Sequence, residues 1–189
     1  MDALLFAFIC CLLIEAGGRM QLLALAFATR WPRHFSAIFW GIALAAIANA
    51  AISGAAGAYI APLLTANARS LFLALALASA SLSLFARIKA PDPLTGWRIG
   101  PFLTALLGMF ILGFADSSQF MVLAFTVRTA DPVLAAAGGA AGVILACLPV
   151  LVFRTGFFTA MPLRAIRFGA GTLFLISGAL LALSAFGRL

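Results

Sequence analysis

Polar positions are rare along this chain and fall at intervals. Between them lie six apolar runs, residues 3–28, 35–61, 68–86, 101–127, 133–153 and 168–186. A helix needs about 20 mostly apolar residues to cross a bilayer, so the pattern predicts six membrane-spanning helices. The gaps hold the residues that end such helices. Arg30, Trp31, Pro32, Arg33 and His34 follow the first run, and Pro32 stops a continuing helix. Residues 62–67 and 128–132 read as short turns, and residues 154–167 as a loop with three arginines. The longest polar stretch carries Lys89, Pro91, Asp92, Pro93, Gly96, Trp97 and Arg98. It divides the chain into residues 1–87, a linker over 88–100, and residues 101–189. Asp2, not a basic residue, precedes the first run, so that run is expected to stay as a span and not to be a cleaved signal.

Two of the runs are interrupted by charge. Residues 14–21 read Ile-Glu-Ala-Gly-Gly-Arg-Met-Gln and put Glu15 and Arg19 inside the first run, where Gly17 and Gly18 can break or kink a helix. Residues 113–119 read Gly-Phe-Ala-Asp-Ser-Ser-Gln and put Asp116 inside the fourth. An ionisable residue within a span is costly, usually faces a protein interior or a wet cavity, and is by default a functional candidate. The other polar residues are read more plainly. Asn49 and the pair Gly54 and Gly57 suit close helix contact. Ser79, Ser81 and Ser83 can bond back to their own helix and are assigned no chemistry.

Composition agrees and excludes alternatives. The chain is 65% hydrophobic and 9% charged with a mean hydropathy of +1.19, far from the roughly 25% charged residues of soluble domains. The net charge of +7 does not imply nucleic acid, because the bases stand singly at the ends of apolar runs and form no patch. Their distribution sets an orientation instead. Eight Lys and Arg follow the first, third and fifth spans and three lie on the opposite side, with Arg19 left inside, so both termini are expected on the non-cytoplasmic face. Cys10, Cys11 and Cys147 lack metal or disulfide spacing and read as small core residues. His34 has no second His or Cys to share a metal, and no Ser/His/Asp constellation is present, so an enzyme is not expected.

Sliding the chain against itself by 98 residues reveals a repeat. Gln21, Leu25, Ala26, Phe27 and Arg30 match Gln119, Leu123, Ala124, Phe125 and Arg128. Further identities fall at Gly41/Gly139, Ala43/Ala141, Ala48/Ala146, Ser79/Ser177 and Leu82/Leu180. Each half holds three spans, so the second half crosses the membrane in the opposite sense. The fold class expected is therefore an all-α integral membrane protein of six helices built from two inverted three-helix repeats. In such folds substrate sites lie near the midplane, where interrupted helices of the two halves meet.

At these residues the sequence resembles the Gdt-type Golgi manganese transporters and their bacterial relatives, cation:proton antiporters of the lysine-exporter superfamily. Their hallmark is a duplicated Glu-x-Gly-Asp-(Lys/Arg)-(Thr/Ser) motif followed by Gln. Glu15, Gly17, Arg19 and Gln21 fit the first copy, with Gly18 in place of Asp and Met20 in place of Thr or Ser. Asp116, Ser118 and Gln119 fit the second, with Gly113 in place of Glu, Ala115 of Gly and Ser117 of the base. Two full motifs would carry a net charge of −2, whereas Glu15, Asp116 and Arg19 leave −1. The resemblance implies a secondary transporter in a bacterial inner membrane that moves a divalent cation, manganese or calcium, against protons. That cation would be cargo, with no resident cofactor. Glu15 and Asp116 would be its carboxylates, and Gln21, Gln119, Ser117 and Ser118 would supply further oxygens, since hard cations want six or more. Arg19 would tune their charge. The residues leave a plainer reading open: Glu15 and Arg19, four apart on one face of a continuous helix, neutralise each other, and Asp116 is protonated or shares Arg19. Also open are a transport-silent subunit that pairs with a complete family member, an oligomer of the chain itself, and an exporter of amino acids or other small solutes, because fold does not fix substrate.

Overall fold

A computed structural model describes residues 2–187. Its helices, in chain order, are α1 (Asp2–Glu15), α2 (Arg19–Arg30), α3 (Phe35–Ile60), α4 (Ala66–Phe85), α5 (Pro101–Gly113), α6 (Ser117–Thr129), α7 (Pro132–Phe153), α8 (Thr155–Ala160) and α9 (Leu163–Ala185). A single 3-10 turn, Ala61–Leu63, extends α3, and no strand occurs among the described residues. Four helices, α3 with its extension, α4, α7 and α9, are each long and apolar enough to cross a membrane. The pairs α1/α2 and α5/α6 are apolar enough only when each is taken together, and they are bent by 66° and 64°, which gives four to six candidate spans. With each bent pair counted as one span, the total is the six that the apolar pattern predicts.

Two boundaries move. The first run is two helices parted at residues 16–18, inside the expected stretch, and the second interruption lies at residues 114–116, so that it takes in Asp116 while Ser117–Gln119 already belong to α6. The last span starts at Leu163 and not at residue 168, so Arg164 and Arg167 are helical, and α8 occupies part of the expected loop. Long arginine stems cover apolar surface while their heads reach polar groups, which is why these bases did not end the helix.

The 98-residue offset relates α1, α2, α3 and α4 to α5, α6, α7 and α9. The halves interlock, since α1 packs chiefly on α7, α3 on α5, and α4 on α9. Small residues permit this closeness. A methyl added at Gly142 of α7 would stand 2.6 Å from the Phe8 carbonyl of α1, and one at Gly57 would stand 2.8 Å from that of Leu123. Close backbone approach is how helices associate in lipid, where no hydrophobic force drives them together. Ser81 adds a bond across the α4–α9 contact by donating to the Gly171 carbonyl at 2.8 Å. Leu5, Phe6, Trp40, Ile47, Leu75 and Ile176 lie exposed on the outside, as side chains facing lipid do.

One contact breaks the symmetry. Helix α4 packs on α6, where Phe72 meets Phe120 edge-on with ring centres 5.4 Å apart. The equivalent pair, α9 and α2, is parted by a cavity of about 750 Å³ between Gly17 and Leu22 on one side and Leu163, Arg164, Arg167 and Phe168 on the other. Helices α4 and α6 are thus in contact where α2 and α9 are parted, and the cavity beside α4 and α6, about 570 Å³ between Phe6, Leu73, Leu77, Phe125 and Phe174, is lined mostly by apolar side chains. The linker is tied to the end of α2, where the Arg30 guanidinium donates to the carbonyls of Leu94 (2.7 Å), Thr95 (3.0 Å) and Trp97 (3.0 Å).

Candidate functional site

Both breaks have the same backbone. At the first, α1 ends on Glu15, Gly17 takes φ +67°, and Gly18 is extended before α2 begins at Arg19. At the second, α5 ends on Gly113, Ala115 takes φ +59°, and Asp116 is extended before α6 begins at Ser117. A short bond closes each turn, from the Gly18 N–H to the Glu15 carbonyl (2.8 Å) and from the Asp116 N–H to the Gly113 carbonyl (3.2 Å). The position that the sequence fills with Gly17 in one half and Ala115 in the other is the left-handed one. Glycine adopts it freely, whereas a side chain there costs about 1–2 kcal/mol. Such irregular backbone survives at membrane depth only where protein buries it or a wet cavity lines it.

A cavity of about 340 Å³ meets both breaks. Glu15, Gly18, Arg19 and Asp116 line it from the broken helices, and Ser83, Ala86, Arg87, Ile88 and Lys89 line it from the end of α4 and the segment beyond. Arg167 of α9 completes the wall. The charged side chains bond across the axis between the halves. Arg19 donates to Asp116 Oδ1 at 2.8 Å, with the arginine half exposed to the cavity and Asp116 mostly covered. Glu15 is buried and accepts from Ser118 Oγ at 2.8 Å. The break parts Glu15 from Arg19, so the two do not form the ion pair that a continuous helix would allow. Arg19 is instead shared with Asp116.

The remaining sequence candidates sit apart from the cavity. The Gln21 amide oxygen accepts from the Gly17 N–H at 2.8 Å and its nitrogen donates to the Ala146 carbonyl at 2.6 Å, so this side chain pins the first break to α7. Gln119 accepts from Ser53 at 3.2 Å while its buried amide nitrogen has no partner. Ser118 is committed to Glu15, and Ser117 is the first residue of α6. Asn49 donates to the Phe110 carbonyl beside the second break at 3.1 Å, the packing role that its sequence context suggests.

Sequence reasoning missed Arg167. Its position at the end of an arginine-rich gap reads as loop, yet its guanidinium donates to the carbonyls of Ser83 (3.0 Å), Leu84 (2.8 Å) and Ala86 (3.3 Å) at the end of α4 and to Ala16 (3.4 Å) in the first break. A signal did exist, because Arg167 ends the most arginine-rich gap in the chain. With Arg167, Arg87 and Lys89 included, four bases and two carboxylates line the cavity. The described residues contain no group of three or more His, Cys, Asp or Glu placed to hold a metal ion.

The two acids that the motifs lack differ in their surroundings. Gly18 lines the cavity, and a Cβ there would stand 3.1 Å from the Glu15 carbonyl oxygen and 3.2 Å from Glu15 Oε2. One at Gly113 would stand 2.6 Å from the Met20 methyl and 2.8 Å from the Asn49 amide nitrogen, so that space is filled.

Broken helices from two inverted halves, meeting with their carboxylates at one cavity, define a secondary transporter of the inverted-repeat class. Residues 3–91 and 101–188 match the family model described as "Divalent cation/proton antiporter GDT1", one segment for each half. The chain belongs to that family, whose activity is exchange of a divalent cation for protons. No curated protein and no solved structure matches it.

Proposed function

We propose that this protein exchanges manganese or calcium for protons through the cavity between its two breaks, with Glu15 and Asp116 as the carboxylates that alternate between cation and proton. The observation that carries this reading is that residues so distant in sequence line one cavity, with Arg19 seated on Asp116. A cation entering the cavity takes the place of the Arg19 head at Asp116. Glu15 then supplies a second oxygen ligand, turning from Ser118, which is left to donate to whichever carboxylate oxygen faces it. Proton arrival at Glu15 and return of Arg19 to Asp116 release the cation, and the empty carrier keeps a paired Asp116. Water and the carbonyls freed at the breaks make up the oxygen shell that a hard cation requires, with Ser118 behind Glu15 as its hydrogen-bond donor. Gln21 and Gln119 act from behind by holding the breaks, their amide oxygens being taken by Gly17 and Ser53. The face bearing Arg87 and Lys89 is cytoplasmic in this reading, because basic loops remain inside.

A second reading is favoured by the charge balance. Four bases against two carboxylates repel a free cation, which suits a transport-silent subunit that packs with a complete family member. Proton-coupled manganese and calcium uptake into proteoliposomes of the purified chain separates the two. The antiport reading expects uptake that drops at least tenfold in both Glu15→Gln and Asp116→Asn. It fails if the parent alone moves neither ion or if both variants transport as well as the parent.

A further inference from the structure

The 98-residue offset pairs Arg167 with Arg69, and the two arginines bond differently. Arg167 lies in the first turns of α9 and reaches out of its own half, to three carbonyls at the end of α4 and to Ala16 in the first break. Arg69 lies in the first turn of α4 and folds back on its own connection, where its Nε donates to the carbonyls of Ala61 (3.1 Å) and Leu64 (3.2 Å). The difference follows the opening. Arg167 lines both the cavity at the breaks and the one that parts α2 from α9, and Arg69 lies at the opposite end of α4, where α4 is packed on α6. In an inverted repeat the two halves exchange conformations when the site changes the face it opens to.

We propose that Arg167 and Arg69 are alternating latches, positioning residues that hold the antiport site open to one face or to the other. In the opposite-facing form Arg69 takes up the arrangement now seen at Arg167, bonding Phe114 in the second break and the carbonyls of Leu181, Ala182 and Ser184 at the end of α9. Arg167 then folds onto the carbonyls of Thr159 and Pro162, the equivalents of Ala61 and Leu64. Each arginine makes more bonds in the form that opens on its own face, and each ties the carbonyl end of the other half's third span to a break. The latches thus select the face, while Glu15 and Asp116 bind. Arginine suits this role because its planar fork presents five donors at fixed angles, which a lysine ammonium does not.

The inference rests on the antiport reading for its purpose but is tested without transport. A reporter cysteine is placed at Ser83, which lines the open cavity, or at its equivalent Leu181, which lines an apolar cavity on the other side. Each is labelled in proteoliposomes with a charged, membrane-impermeant thiol reagent. Cys10, which lines the same cavity as Leu181, is replaced by Ala in every chain, and the chain without a reporter serves as background, its Cys11 and Cys147 being buried. The Ser83-to-Leu181 ratio of labelling rates is expected to fall about tenfold in Arg167→Ala, the factor one charge-assisted hydrogen bond supplies. It is expected to rise in Arg69→Ala. Arg167→Lys, which keeps the charge without the fork, is expected to fall partway, and it stands in for Arg167→Ala if that variant does not fold. Ratios that stay at the parental value, or that move the same way in both alanine variants, overturn the proposal. Because labelling needs no ion, absence of cation flux in the same vesicles counts against the antiport reading alone.

Discussion

The two breaks have one backbone and two chemistries. Across the axis, Glu15 of the first faces Ser118 of the second, and the symmetric counterpart of that pair is Gly113 with Met20. Arg19 faces Asp116, and the counterpart of that pair is Ser117 with Gly18. One half-site has stayed polar and bonded while its mirror image has become small or apolar. A duplicated framework can therefore keep its bend while half of its charge is lost, because the bend depends on the left-handed residue and its closing hydrogen bond and not on the acids.

The largest effect expected from testing this difference comes at Gly113. Gly113→Glu forces a side chain into space held by Met20 and Asn49 and buries a carboxylate there. Overpacking and burial together should destabilise the fold by about 3 kcal/mol or more, read as a lower unfolding midpoint in detergent. Adding Met20→Ser, which restores the polar mirror of Glu15 and Ser118, should recover part of the loss. If Gly113→Glu alone is as stable as the parent, the filled-space account of that missing acid is wrong.

Next come the two glutamines. Gln21 makes two buried bonds and Gln119 one, so Gln21→Ala should cost about 2 kcal/mol and Gln119→Ala about 1 kcal/mol or less. Equal losses in thermal unfolding would erase the asymmetry between the halves. Gly18→Asp tests function at the open half-site, where a third carboxylate beside Glu15 should offset one of the four bases. Apparent affinity for manganese or calcium should then rise roughly tenfold, since such sites are tuned by ligand charge count. Unchanged half-saturation in flux assays would show that the cavity does not bind the cation through its acids. The smallest effect is expected at Ala115→Gly, which relieves the left-handed strain and should stabilise by about 1 kcal/mol or less once the greater freedom of unfolded glycine is counted. Gly17→Ala should do the opposite.

Much of this was legible in the chain. Apolar run lengths set the six spans, because lipid admits only helices with internally bonded backbones. Glu15, Arg19 and Asp116 stood out because charge in an apolar run has few reasons to exist, and the shared Gln21/Gln119 and Arg30/Arg128 exposed the repeat. The bend was half legible: Gly17 and Gly18 announced the first break, while Ala115 hid the second behind a residue that normally favours helix. Arg167 reads as loop because a base at the edge of an apolar run serves as an interfacial anchor, and nothing local reveals that its head meets carbonyls on another helix.

The sequence by itself determined the number of spans, their inverted duplication and the identity of the buried charges, since these follow from the local cost of placing polar groups in hydrocarbon. Only the tertiary structure decided who partners whom. Arg19 binds Asp116 and not Glu15, Ser118 serves Glu15, Gln21 and Gln119 turn away from the cavity, and α2 and α9 are parted where α4 and α6 are in contact. Those outcomes depend on the direction in which each broken helix resumes, and a sharp bend of that kind redirects every side chain beyond it.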